Sequence, residues 1–228
     1  MRPERVPVTL EGVPFIAFGA LLALVFAELG WSVWAVIALL VTAFVLYFFR
    51  DPERIVPVDP CLVVSPADGK VIEIVEGNEH ALQEGPVWRI SIFMDLFNCH
   101  VNRAPITGKV LKISYRPGRF FSADKKKALI QNEQSAMLME SESGQKLTVV
   151  QVAGLVARRI VCRADVGDKL TRGERYGMIR FGSRLDVYIS KRAEIKVKQG
   201  QKVRAGESVL AVLPCKEELP VTEMGDDV

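Results

Sequence analysis

Few side chains in this sequence are equipped to break bonds. It holds two histidines, His80 and His100, and four cysteines, Cys61, Cys99, Cys162 and Cys215. The cysteines form no CxxC pair, so no metal is expected and four reduced thiols are the ordinary reading. Neither a phosphate-binding loop nor a dinucleotide glycine fingerprint occurs. That leaves Ser183, His100, Asp68 and a few basic groups. Ser183 lies in Phe181-Gly182-Ser183-Arg184, between strand-like runs at 176–179 and 185–189. A Gly-Ser pair so placed is most often only a turn. Its possible chemistry is nonetheless specific. A serine hydroxyl can attack the preceding carbonyl, shifting the acyl group from nitrogen to oxygen. β-Elimination of the resulting ester frees a C-terminus at Gly182 and leaves dehydroalanine at 183, which hydrolyses to a pyruvoyl group. Glycine on the acyl side leaves the carbonyl open and tolerates strain. A base and oxyanion donors are also required.

The partners for such a serine are ambiguous when read singly. Asp68, in Ser65-Pro66-Ala67-Asp68-Gly69-Lys70, is locally an Asp-Gly turn. His100, in Phe97-Asn98-Cys99-His100-Val101-Asn102-Arg103-Ala104-Pro105, is a lone histidine near a strand end, more often structural than catalytic. His80 sits in the polar stretch Gly77-Asn78-Glu79-His80 and fits no motif.

Two kinds of element must position these groups. Residues 14–27 are apolar without a break, and 31–49 give a second apolar stretch without charge. The second nearly spans a bilayer core of about 30 Å; the first is shorter. Arg2 and Arg5 precede the pair and Arg50 and Arg54 follow it, which predicts a helical hairpin with both ends in the cytoplasm. Tyr47, Phe48 and Phe49 read as an interfacial belt. A cleaved signal peptide fits poorly, because no small-residue cleavage site follows.

From residue 57 onward the pattern is short Val- and Ile-rich runs bounded by turn residues: 70–75, 87–93, 109–115, 136–140, 146–152, 156–162, 185–189, 194–197 and 208–213. One or two helical turns are expected at 125–131. Pro66-Ala67-Asp68-Gly69-Lys70-Val71 echoes Pro105-Ile106-Thr107-Gly108-Lys109-Val110. Likewise, 167–174 (GDKLTRGE) echoes 200–207 (GQKVRAGE), a turn signature of lipoyl and biotinyl hammerhead barrels without their carrier lysine motif. The expected fold is mostly β: one β-rich domain with lipoyl-like repeats, 57–214, preceded by a membrane-anchoring helical segment, 1–56, and followed by an acidic tail, 215–228. A net charge of +3 is too weak to argue for nucleic acid. Phe120 and Phe121 beside Lys125, Lys126 and Lys127 form a candidate interfacial patch or, equally, a solvated basic turn.

Taken in order, Asp68 in its Pro-Ala-Asp-Gly segment, the 100–105 run (HVNRAP), the 151–159 run (QVAGLVARR) and Gly182-Ser183 resemble phosphatidylserine decarboxylase of the short bacterial type, along essentially the whole chain. The archaetidylserine enzymes are similar. The resemblance implies self-cleavage between Gly182 and Ser183 into fragments 1–182 and 183–228. It implies a pyruvoyl cofactor made from Ser183, with no metal, and a Schiff base between that group and the amine of phosphatidylserine. It also implies processing by Asp68, His100 and Ser183 in a protease-like triad. Longer family members carry a second histidine where this sequence has Arg103; here His100 is expected to serve both processing and protonation. Arg103 and Lys125 to Lys127 are possible head-group contacts. Expected partners are the phospholipid, the membrane, the two fragments of the chain itself and a second copy, at the cytoplasmic face of the inner membrane. The competing readings are a membrane-anchored lipoyl-like adaptor without activity, and a pyruvoyl enzyme for a soluble amino acid.

Overall fold

A computed structural model describes residues 7–77, 82–83, 85–121, 131–154, 160–179 and 183–214. The apolar stretches form two helices, α1 (Val13–Glu28) and α2 (Ser32–Phe48), joined at Gly30. Pro14 sits in the first turn of α1, where its missing N–H costs nothing. The helices touch through small residues: a Cβ at Gly19 would lie 2.4 Å from Thr42 Oγ1. Phe15, Phe18, Leu21, Val33, Trp34 and Leu40 point outward and are exposed.

By length and composition Leu10–Glu28 can cross a membrane, whereas α2 has 17 residues. This reverses the expected order of lengths, because a 3-10 turn at Leu10–Gly12 extends the first helix backwards. The hairpin's two ends meet. Thr9 N–H donates to Phe49 O at 2.8 Å and Asp51 N–H to Pro7 O at 2.8 Å.

Among the described residues the remainder is chiefly β, with every named strand paired antiparallel. Its strands are β1 (Leu62–Val64), β2 (Gly69–Gly77), β3 (Val87–Met94), β4 (Val101–Arg103), β5 (Gly108–Arg116), β6 (Gln134–Ser141), β7 (Lys146–Val152), β8 (Ile160–Cys162), β9 (Lys169–Leu170), β10 (Arg175–Ile179), β11 (Ser183–Ser190), β12 (Glu194–Ile195), β13 (Lys202–Val203) and β14 (Val209–Val212). Eight form one sheet in the order β13-β2-β3-β11-β7-β6-β5-β9. Two three-stranded sheets, β1-β14-β12 and β4-β10-β8, complete the domain. Ile90, Ile92, Val110, Met137, Met139, Leu147, Leu185 and Val187 fill its core.

The sequence echoes are the two halves of this arrangement. Gly69 and Lys70 pair with Val203 and Lys202, and Gly108 and Lys109 pair with Leu170 and Lys169 in the same register. Gly206 N–H donates to Ser65 O, and Gly173 N–H to Ala104 O, each at 2.8 Å. The sheet order is therefore a palindrome of equivalent strands about the β11–β7 pair.

The sequence reading missed β1, β4, β9 and β13. Each has two or three residues, too few for alternation to register. The expected helix at 125–131 and the first part of the 156–162 strand fall almost wholly outside the described residues. Cys61 is disulfide-bonded, against the expectation of four reduced thiols, while Cys99 and Cys162 are free. Spacing alone does not reveal a pairing made by the fold.

Gly173 tests the junction between linker and domain. Its φ is 81°, and a Cβ there would lie 2.4 Å from Val56 Cγ2, whereas Gly144 (φ 78°) has nothing within 4 Å. Gly144→Ala should cost about 1 kcal/mol through its backbone alone, and Gly173→Ala about 2–3 kcal/mol through backbone and clash together. Thermal unfolding in detergent of both variants checks the ranking.

Candidate active site

Ser183 begins β11 and is fully buried. It pairs with Met94, the last residue of β3, and its Oγ touches Met94 Sδ at 3.9 Å. Sulfur is a weak acceptor, so this contact leaves the hydroxyl nearly free to react. Asn102 Nδ2 reaches the same sulfur at 3.9 Å, and Gln151 Nε2 donates to Asn102 Oδ1 at 2.8 Å. Asn102 and Gln151 are also buried. Asn102 and Ser183 thus meet at the same Met94 sulfur, and Gln151 aligns the Asn102 carboxamide. Sequence reasoning quoted the runs of Asn102 and Gln151 and gave neither a role. The available signal was an amide at 151 following the apolar Val149 and Val150 of a strand run.

His100 immediately precedes β4 and is fully buried. Its ring lies 4.3 Å from that of Phe48, the last residue of α2. Phe48, Phe49, Cys99, Val101 and Met178 form a small apolar cluster around it. Among the described residues neither ring nitrogen has a hydrogen-bond partner of good geometry. Buried polar atoms are rarely left so, and a functional site is one of the few places where the cost is tolerated. Burial holds the imidazole pKa down to about 4; Arg50 pushes the same way, while the nearby Asn98 backbone and Asp95 oppose it. The ring is uncharged at neutral pH, the state a base requires.

Asp68 is not brought to His100 among the described residues. Its Oδ2 pairs with Arg54 at 2.7 Å, and its Oδ1 accepts from Ala205 N–H at 2.7 Å. The second bond has a counterpart in the other half, where Thr107 Oγ1 accepts from Arg172 N–H at 3.0 Å. Asp68 and Thr107 occupy matching places in the repeat, so the turn reading of Asp68 is the one its contacts express.

Arg103 also has an occupation other than the one expected of a head-group contact. It is buried, donating to Asp51 Oδ1 at 2.8 Å, Gly173 O at 3.0 Å and Pro52 O at 2.9 Å. Asp51 additionally binds Arg175. Phe120 packs against the core rather than lying free for an interface. Gly182, Lys125, Lys126, Lys127 and His80 lie outside the described residues.

One further group was missed. Arg184 is buried, with Nε donating to Asp186 Oδ1 at 2.6 Å and Nη2 to Ser91 Oγ at 2.6 Å. It fixes the start of β11 independently of the chain before it.

A profile of the phosphatidylserine decarboxylase family matches residues 41–211. Proteins named phosphatidylserine decarboxylase proenzyme are similar over nearly their full length. The one from Geotalea uraniireducens is 49% identical over 94% of this chain and 100% of its own. That from Desulfotalea psychrophila is 52% identical over 92% and 98%, and that from Syntrophus aciditrophicus 53% over 88% and 94%.

The His100 environment is testable alone. In unprocessed Ser183→Ala protein carrying His80→Gln, NMR should follow a single imidazole titrating near 4. Phe48→Ala admits water and should move that midpoint toward the ordinary 6.5; Phe48→Leu should leave it low. Between those pH values the unfolded chain binds the extra proton, so this group lowers stability as pH falls from 6.5 toward 4 and has no effect above that window.

Proposed function

This chain belongs to the phosphatidylserine decarboxylase family of carboxy-lyases, and on that premise we propose that it cuts itself between Gly182 and Ser183 and decarboxylates phosphatidylserine at a membrane. The observation that carries this is a buried serine hydroxyl at the head of a strand whose contact among the described residues is the Met94 sulfur, which the Asn102 carboxamide also meets. That surrounding fits a pyruvoyl group at position 183: the Met94 thioether lies against it, and the neutral Asn102 donor reaches the same sulfur. When formed, the group supplies an electron sink for loss of CO₂ from an amine-bearing substrate.

The chain's own residues do the rest. In processing, Ser183 Oγ gives up its proton to a base as it attacks the Gly182 carbonyl. The amide nitrogen leaves with a proton as the ester forms; loss of the Ser183 Cα proton then breaks the Cβ–Oγ bond and frees the Gly182 carboxylate, and water hydrolyses the resulting dehydroalanine to the pyruvoyl group with release of ammonia. His100, neutral and with neither ring nitrogen well partnered among the described residues, is the group suited to carry the hydroxyl proton. Asn102 is the donor suited to the developing oxyanion. In turnover, His100 returns a proton to the substrate carbon, and its apolar surround disfavours a charged carboxylate there. Asp68 contributes through position, by tying Arg54 of the linker to the β13–β14 turn.

After the cut, residues 183–228 would stay in place. β11 pairs along its whole length with β3 and over six residues with β7, and Arg184 holds its first turn of chain. The apolar hairpin, with both ends on the domain side, supports seating at the inner membrane with the catalytic domain in the cytoplasm. Archaetidylserine is an alternative substrate; a second copy is an expected partner.

Denaturing electrophoresis with intact-mass measurement tests the reading. Wild type should yield two fragments, the smaller beginning with a blocked residue 183, and Ser183→Ala should stay whole. His100→Ala should process at least about 10²-fold more slowly; normal processing would remove His100 from the role. Asp68→Asn separates position from triad chemistry. It keeps the Ala205 bond and should slow processing less than about tenfold, where a triad aspartate would cost about 10⁴.

A further inference from the structure

The turn between β3 and β4 exposes two apolar side chains, Leu96 (38%) and Phe97 (63%). Its backbone is locked. Asp95 Oδ1 accepts from the N–H groups of Phe97 and Asn98 at 2.9 and 3.1 Å, and Asn98 Oδ1 accepts from Asp95 N–H at 2.8 Å. These paired Asx bonds define a rigid turn that presents the Phe97 ring outward. A large apolar ring held outward by a fixed backbone marks a contact surface more than a solvated loop.

The turn is also fastened to the end of α2. Phe97 O accepts from Arg50 Nη2 at 2.8 Å and from Tyr47 Oη at 3.2 Å, and the Arg50 guanidinium lies 3.9 Å over the Tyr47 ring. Phe97 therefore lies level with the last turn of α2, where Phe44, Leu46 and Tyr47 are exposed as well. A tyrosine and an arginine closing an apolar helix are the composition of a bilayer interface. The exposed flank of the helix and the exposed turn form one continuous apolar surface, and His100 follows three residues after Phe97.

We propose that the Leu96–Phe97 turn is a second membrane contact, inserted into the head-group and upper acyl zone beside α2, which fixes the height of the His100–Ser183 site above the lipid. The occupant is the bilayer surface itself. A lipid head group then reaches the site while its chains stay in the membrane. This rests on the reading that the hairpin is membrane-seated and that the site acts on a lipid.

Full-length protein in vesicles of phosphatidylcholine and phosphatidylglycerol, with bromine at defined acyl depths, decides it. In a Trp31→Phe, Trp34→Phe background, Trp88 remains as a reference at the opposite end of β3. A tryptophan introduced by Phe97→Trp should be quenched severalfold more than Trp88, most strongly by shallow bromines; equal quenching overturns the proposal. In a second arm, Phe97→Asp should still self-process and should raise KM for vesicle-borne phosphatidylserine about tenfold. Its kcat, and its rate on a monomeric short-chain analogue, should be unchanged; an unchanged KM on vesicles also overturns the proposal. If the parent decarboxylates neither substrate, the lipid-site reading fails, and the quenching result still decides the contact.

Discussion

The arrangement depends on one buried carboxylate. β4 and β10 pair so that Arg103 and Arg175 lie directly opposite one another. Two guanidinium groups in that register repel, and Arg103 is also buried, which together with the Arg175 charge lowers its pKa. Asp51 binds both and is itself only 9% exposed. Neither strand of the pair supplies an anion; the linker from α2 does. The β domain is thus electrostatically incomplete until the chain leaving the hairpin is laid across it. A buried pair of this kind is weak evidence for net stability, but losing one partner leaves uncompensated charge at a cost of about 3–5 kcal/mol. The clamp is better understood as a device that specifies where the hairpin sits.

Its consequence is a site built by two elements distant in sequence. With Asp51 fixed, Phe48 and Phe49 fall onto Cys99, Val101 and Met178, and Phe48 covers His100. The same clamp accounts for an arginine at 103, where longer relatives were expected to have a second histidine. That position faces the linker and holds a carboxylate, leaving His100 as the histidine beside the strand that approaches Ser183. Arg172 reinforces the seat by donating to the Pro57, Asp59 and Leu62 carbonyls of the same linker.

Much of this was legible in the sequence, for identifiable reasons. The repeats were visible because identical turns demand the same glycine and lysine spacing, and they pair in the same register in both halves. The long strands were visible through alternation. An Asp-Gly turn and a triad aspartate are written with the same letters, and the bond that Asp68 makes in parallel with Thr107 is visible only in three dimensions. Phe48 looked like part of a membrane belt, and nothing in its local pattern links it to a histidine 52 positions later. Asn102 and Gln151 were hidden because they lie 49 positions apart in different strands, and their significance lies in meeting each other.

The sheet order also bears on why a cut at this point is tolerable. β10 belongs to the sheet β4-β10-β8 and β11 to the eight-stranded sheet, so the Gly182–Ser183 bond falls between strands of different sheets. Severing it removes no strand from its neighbours: β10 keeps β4 and β8, and β11 keeps β3 and β7. The proposed cut would leave residue 183 as a chain end, flanked by strands on both sides and held from the next position by the buried Arg184 guanidinium. A reactive group confined to a new terminus would ordinarily fray with it. Here the neighbouring arginine, on the opposite face of the strand, anchors that terminus in a network that does not depend on the broken bond.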